Sequence, residues 1–286
     1  MKDNPTNGNG SPSEGTAVLS PEKSARMPVV VMTDGLLVPG SDKGVLSAWN
    51  ISFFGAIVVI LALRFLSPSP NPYAEIFAFV PSGLSATFGV TIVSFIFALI
   101  LGLLAGLGRI AKTKAINLVA TTYVEIIRGI PLLVQLFYIY YALGPLLHLK
   151  GPASAILAMS ICYGAYLGEI FRAGIQSIPK GQMEAALALG MSRTQALWRV
   201  VLPQTVKIIL PPIGNESIAL LKDSSLVSIL AVSDLLRRGR EYASTTFNYL
   251  QSFTVVALIY LIMTLFFSRL VGIMEKRLRT HGKRHN

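Results

Sequence analysis

Between Gly83 and Gly108 the chain carries no charged residue, and most of its side chains there are aliphatic or aromatic. About 20 apolar residues, each rising about 1.5 Å in a helix, cross a hydrocarbon core of about 30 Å. A run of this length therefore belongs in a bilayer, and a bilayer permits few folds. The hydrocarbon offers no water to satisfy backbone N–H and C=O groups, so a spanning segment is a helix or a strand of a closed barrel. Barrel strands are about ten residues long and alternate apolar with polar side chains. Nothing in 83–108 alternates in that way, so the chain reads as an all-α integral membrane protein.

Five more segments extend the pattern. A first span runs from Val45 to Leu66, with Arg64 near one end able to snorkel toward the surface. The run 83–108 is the second. The third ends near Gly144 and contains "RGIPLLVQLFYIYYAL", its start obscured by Glu125 and Arg128. The fourth extends from Pro152 to Ser177, the fifth from Gln204 to Leu230 and the sixth from Gln251 to Ile273. Six transmembrane helices are predicted. Gly102 and Gly106 form a GxxxG, a spacing that lets helices approach closely, although ordinary packing explains the pair as well. Residues 1–28, rich in Pro, Gly, Ser and Asn, are predicted to be disordered and show no signal-peptide pattern.

The formal net charge is +11 at pH 7. No basic stripe with interleaved aromatics is present, so nucleic acid is not an expected partner. The excess reads instead as the Lys/Arg bias of cytoplasmic loops. With the N-terminus inside, segments 1–44, 109–116, 178–203 and 274–286 hold 15 of the 25 basic residues, and the outside loops hold 4. Three of those four are Arg237, Arg238 and Arg240, which run against the rule. Both termini are thus predicted to be cytoplasmic. Cys162, the single cysteine, excludes an internal disulfide and reads as a small core residue. His281 and His285 stand at i, i+4 without a third ligand, so no metal site is expected. The phosphate loop G-x-x-x-x-G-K-[ST] and the hydrolase motifs H-E-x-x-H and G-x-S-x-G are absent, so the chain is not expected to be an enzyme.

One stretch is out of keeping with its surroundings. "EAALALGMSRTQALWRVVLP", from Glu184 to Pro203, is too short and polar to cross a bilayer, yet it lies between two spans. Gln182 to Leu189 can form about two helical turns, and Gly190 suits a left-handed stop. Ser192 followed by Gln195 is a capping-box start for a second helix, carrying Ala196, Leu197, Trp198, Val200 and Val201, and Pro203 blocks its simple continuation. Ala185 and Ala186 permit close backbone approach while Glu184 supplies a directed charge, properties that suit a short helix lying in a partner's groove. A loop that merely rests on the membrane surface is the plainer alternative.

Glu184-Ala185-Ala186, three residues, Gly190, nine residues, then Val200-Val201-Leu202-Pro203 resembles the EAA loop of bacterial ABC importer permeases. The family prefers Ile where this chain has Val200. The flanking segments "YVEIIRGIPLLVQLFYIYY", "GAYLGEIFRAGIQSIPKGQ" and "LLKDSSLVSIL" are similar to the polar amino acid permease subfamily, which includes histidine and glutamine permeases. The resemblance covers roughly 83–275 and implies a five-helix permease core, with 45–66 as an additional span. The implied organisation is a cytoplasmic tail at 1–44, the extra helix at 45–66, the permease domain at 83–275 with its coupling loop at 179–203, and a basic tail at 276–286. The implied function is the membrane-spanning permease of an ATP-driven amino acid importer in the bacterial cytoplasmic (inner) membrane. Glu184, Ala185, Ala186, Gly190, Leu202 and Pro203 would couple it to a separate ABC ATPase subunit that carries the ATP and Mg. An extracytoplasmic amino-acid-binding protein would deliver the substrate, and a second permease copy or a related permease would complete a dimer.

The fifth span is the least membrane-like. Pro211 and Pro212 interrupt its helical pattern, and Asn215, Glu216, Ser217, Lys222, Asp223 and Ser224 follow. A charge near the bilayer centre costs about 2.5–3.5 kcal/mol on insertion scales, so these side chains are expected to face a partner or a water-lined path. Broken helices at membrane depth often form transporter substrate sites. Structural pairing of Lys222 and Asp223 with other groups is the competing reading. Glu169 with Arg172, and Glu125 with Arg128, are spaced i, i+3 and are expected to pair structurally. The intramembrane carboxylates also admit an ion-coupled secondary transporter or channel, but no repeated halves with matching breaks are visible.

Overall fold

The computed structural model describes residues 47–68 and 71–282, and every regular element among them is helical. The expected disordered tail and the last four residues lie outside the described residues. The elements are α1 (Ala48–Phe65), α2 (Pro72–Phe79), a 3-10 turn (Val80–Gly83), α3 (Leu84–Arg109), α4 (Lys114–Gly129), α5 (Leu132–Phe137), a π segment (Tyr138–Leu143) and α6 (Gly144–Leu147). There follow α7 (Gly151–Gln176), α8 (Lys180–Ala188), α9 (Arg193–Ala196), a π segment (Leu197–Val201), α10 (Leu202–Asp223), a 3-10 segment (Ser224–Leu230), α11 (Leu235–Thr246) and α12 (Tyr249–Gly282).

Four of these helices among the described residues are long and apolar enough to cross a membrane: α1, the composite Pro72–Arg109, α7 and α12. A fifth arises if the bent pair Lys114–Gly129 and Leu132–Leu147 counts as one span. Six spans were expected. The difference is α10, which is long enough but carries Lys207, Glu216, Lys222 and three prolines within 22 residues.

The bend between α4 and α5 is 102°. Pro131 has no N–H, so the Ile127 carbonyl loses its i+4 donor and the helix cannot continue. Gln135 supplies the missing donor, its Nε2 lying 2.8 Å from both Ile127 O and Ile130 O. This break explains why the start of the third span was obscure in the sequence.

The core is built on α7. Met159, Tyr163, Leu167 and Phe171 are buried in one cluster with Ala98, Leu136, Leu220 and Leu230 from four other elements. Helix α3 packs along α7 at backbone contact. A Cβ on Gly102 would stand 2.6 Å from the Leu167 Cβ and 3.1 Å from Gly164 O, and one on Gly106 would stand 2.6 Å from the Phe171 Cβ. The GxxxG of α3 thus meets Gly164 and Gly168 of α7, a second GxxxG, and close approach is its role.

Helix α10 passes through Pro211 and Pro212 without interruption, so the expected break is not there. Each proline removes one i→i−4 hydrogen bond, and the remaining bonds hold the helix. The helical path ends instead in the 3-10 segment, with Ala231 in the left-handed region at φ 58°. Nor does Pro203 stop the preceding helix. It sits at the start of α10, directly after a π segment in which the Leu202 N–H reaches back five residues to Leu197 O. A π turn shifts the hydrogen-bond register, and the proline falls where the α pattern resumes.

Two outlying helices are fastened to this core. On α12, Leu265 O accepts from Trp49 Nε1 of α1 at 3.0 Å, and the Arg269 guanidinium lies 4.9 Å from the Trp49 ring centroid. Helix α11 holds the three arginines that broke the charge bias. Arg237 and Arg238 both bond Glu241, Arg238 also lies over Phe79, and Arg240 donates to Ser228 O at 3.1 Å. All three are used within the fold. Burial pushes the Asp234 carboxyl, which caps α11, up to about 6.

Candidate functional site

Two regions concentrate the residues singled out in the sequence. The first is the corner at 179–203. Helix α8 ends in a Schellman arrangement: Gly190 N donates to Leu187 O at 2.9 Å and Met191 N to Ala186 O at 3.2 Å. Gly190 has φ +82°, a conformation that costs a side-chain-bearing residue about 1–2 kcal/mol. The capping box then starts α9, with the Gln195 N–H bonded to Ser192 Oγ at 3.2 Å and the Ser192 N–H to Gln195 Oε1 at 3.0 Å. Gln204 of α10 donates to Gln182 of α8 at 3.3 Å and ties the two limbs together.

Glu184 and Ala185 are exposed on α8, and Gly190 is open to solvent on the corner. Ala186 differs from expectation. It is only 4% exposed, so it packs within the corner itself. Leu202 is half-buried and Pro203 exposed. Leu189 and Trp198 are 81% and 64% exposed. An apolar leucine and a tryptophan presented beside a corner rigidified by two reciprocal caps form a surface with the composition of an interface anchor.

The second region lies on α10. Glu216 and Asp223 are seven residues apart, so they share a face, and Asn215 with Lys222 form the adjacent stripe about 100° round the helix. Tyr163 of α7 donates its hydroxyl to Asp223 Oδ2 at 2.8 Å. Ser217 and Ser224 donate to Gly214 O and Leu221 O, at 2.6 and 2.7 Å, and so serve the helix backbone. Ser224 is fully buried, whereas Asn215 and Lys222 are exposed and do not join the Tyr163 contact. Of the six expected residues, Asp223 meets α7 through Tyr163 and Ser224 is packed inside the chain.

Residues missed in the sequence complete this region. The Tyr166 ring lies 6.0 Å from Tyr163, and the Arg128 guanidinium carbon lies 5.3 Å from the Tyr166 centroid. The expected Glu125–Arg128 pair does not form among the described residues. Arg128 sits at the last turn of α4, just before the bend, and reaches across to α7 instead. Glu169 pairs with Arg172 as expected but also takes Arg109 of α3. A cavity of about 480 Å³ opens between α3, α4 and α7, lined by Arg109, Glu125, Arg128, Tyr166 and Glu169 among others, and its lining does not include Tyr163, Glu216 or Asp223. The readable signal was Tyr163, Tyr166 and Glu169 at i, i+3, i+6 along one side of α7.

Residues 98–280 match the family described as binding-protein-dependent transport system inner membrane component. The chain is 40% identical over 198 residues to an L-cystine transport system permease protein of Bacillus subtilis, covering 68% of this chain and 85% of that protein. It is 37% identical over 201 residues to a glutamine transport system permease protein of Escherichia coli, covering 69% and 91%. A crystal structure of an amino acid ABC transporter with histidines superposes with a TM-score of 0.66 at 40% identity, covering 72% of this chain and 95% of that one.

Proposed function

The chain belongs to the family of inner membrane components of binding-protein-dependent transport systems, and from that premise we propose that it is the permease subunit of an ATP-driven importer of polar amino acids. The transport systems named for its relatives carry cystine and glutamine, which supports an amino acid as cargo. An extracytoplasmic binding protein delivers that cargo, and a second copy of this chain or a related permease completes the path. Helix α10 is the sixth span in this reading, its exposed Asn215–Lys222 stripe facing the partner permease or water rather than lipid. The termini and the 179–203 corner face the cytoplasm.

The corner carries the coupling proposal. Helix α8, fixed by its Schellman stop and by the capping box of α9, docks on an ATPase that binds the ATP and Mg. Glu184, Ala185, Leu189 and Trp198 form the contact, while Ala186, Gly190, Leu202 and Pro203 set its shape. When ATP draws two ATPases together, the limb formed by α9 and α10 transmits the displacement, because the helical path is continuous from Arg193 to Asp223. Glu216 and Asp223 stand on that same path, which joins the coupling corner to the charged site without an intervening loop.

The test is uptake of radiolabelled amino acids into proteoliposomes holding the permease, the ATPase and the binding protein. Uptake is expected to require ATP and to persist when the proton gradient is collapsed. Uptake driven by an ion gradient without ATP would sink the importer reading and favour a secondary transporter.

A further inference from the structure

A groove between α3 and α4 stands apart from both regions described above. It has a volume of about 520 Å³ and runs along the last turns of α3 and the first turns of α4. Ala105, Gly108 and Ala120 make its floor: a Cβ on Gly108 would stand 2.7 Å from the Ala120 Cβ, so the two helices nearly touch there. Leu104, Ile116 and Val119 form its rims and are exposed. Tyr123 carries the one polar side-chain atom of the lining, and that hydroxyl is spent on Ile161 O at 2.7 Å. A polar occupant would lose its hydration here and recover no hydrogen bond. The groove suits hydrocarbon.

Charge gathers where the groove ends. Gly108 and Ala115 both line it, so the loop between α3 and α4 closes that end, and Lys112 and Lys114 are exposed there. Asn117 donates its side-chain amide to Arg109 O and ties the end of α3 to the first turn of α4. Neither lysine forms an ion pair among the described residues, and no acidic residue stands in the first turn of α4. Arg109, the third cation of the segment, is committed to Glu169.

We propose that the groove holds an acyl chain of an anionic phospholipid whose phosphate is held by Lys112 and Lys114. From Leu101 to Gly108 α3 rises about 10 Å, a third of a hydrocarbon core of about 30 Å. The charge-free run 83–108 ends there, at Arg109, which sets the groove in the hydrocarbon and the lysines at head-group depth. Lipid tails are as apolar as leucine, so the groove does not choose one lipid over another. The two lysines do, because they attract a negative head group. A second permease copy is the rival occupant. The segments assigned to the same side as this loop hold 15 of the 25 basic residues, so a copy seated here would set like charges against the lysines. Topology asks only for positive charge somewhere in a loop, whereas a lipid site asks for it at the mouth of the groove. Such a site requires that the chain span a bilayer, whether or not it is an importer.

The test places the full-length permease in nanodiscs of phosphatidylcholine doped with phosphatidylglycerol that carries a photoactivatable diazirine in its acyl chain. Cross-links are then located by mass spectrometry. Both faces of the disc hold the probe, so the result does not depend on which side the loop occupies. Labelling of Leu104, Ile116 and Val119 is expected to exceed that of Phe54 and Val58, which are exposed on α1, by about tenfold. Diazirine-bearing phosphatidylcholine is expected to label the two faces alike. Lys112→Gln combined with Lys114→Gln should bring the groove down to the α1 level, and the corresponding pair of arginine substitutions should keep it high. Ala115→Trp, which fills the groove and leaves both lysines in place, should lower its labelling by both probes. Equal labelling of groove and α1 by phosphatidylglycerol, equal labelling of the groove by the two lipids, or no change in the glutamine pair would overturn the proposal. Exclusion of both lipids, together with permease-to-permease cross-links at Val119, would overturn it in favour of a second copy. The importer reading fails separately, if uptake does not require ATP.

Discussion

The corner at 179–203 and the charged segment at 213–225 both stand out in the sequence, yet they are held in place by different physics. The corner is a local construction. Its Schellman bonds join residues within five positions of each other, and its capping box spans four residues. The segment on α10 depends on contacts across the chain: Asp223 is fixed by Tyr163, 60 residues away. Local bonding made the corner's shape readable from residue types, whereas the α10 site takes its partner from α7. Substitutions should therefore damage the corner through its backbone and the charged site through its side-chain partners.

Gly190→Pro should produce the largest effect. Proline cannot adopt φ +82° and removes the N–H that bonds Leu187 O, a backbone conflict of about 3 kcal/mol or more. Recovery of the ATPase with the tagged permease should fall by roughly a hundredfold, with membrane abundance unchanged. Normal recovery together with normal substrate-stimulated ATP hydrolysis would remove the corner from coupling.

Asp223→Asn should come next and act on the other region. It weakens a hydrogen bond to a charged group, an interaction of about 1.5–3 kcal/mol. Amino acid uptake should drop by about ten- to a hundredfold while ATPase recovery stays normal. Loss of ATPase recovery in this variant would mean that the two regions are not separable.

Ser192→Ala is a milder probe of the corner. Losing an N-cap costs about 1 kcal/mol, so ATPase affinity should fall by about fivefold, and Ser192→Asp should restore it. The smallest effect is expected from replacing Pro211 and Pro212 together by alanine. The helix is continuous through both, and alanine favours a helix, so uptake should stay within about twofold of the native level. A severe loss would show that the prolines matter in a way a straight helix does not express.

Most of the helices were legible because length and apolarity are additive along a segment. The ends of α3 and α7 fall within a residue or two of the expected spans. What escaped was relational. Arg128 and Glu125 have the spacing of a helical pair, but the bend at Pro131 leaves Arg128 within reach of Tyr166, and the cation stacks there. Glu169 and Arg172 do pair, yet Arg109 from another helix joins them. Ala186 looked like a docking residue because it sits in the motif, and only the folded corner reveals that it faces inward. The second glycine pair, Gly164 and Gly168, carried the same spacing as Gly102 and Gly106, but a seam exists only when two such pairs meet.

That seam has a mechanical consequence. At Gly102 and Gly106 the α3 backbone lies directly against the Cβ atoms of Leu167 and Phe171 and the backbone of α7, which leaves little room for one helix to shift against the other. Close-packed interfaces switch between discrete arrangements rather than deforming continuously, and this one is pinned at one end by Arg109 on Glu169. The pair therefore behaves as a stiff beam. A beam does not bend; it tilts, and the irregular points of the chain outside it are the break at Ile130–Pro131 and the left-handed Ala231.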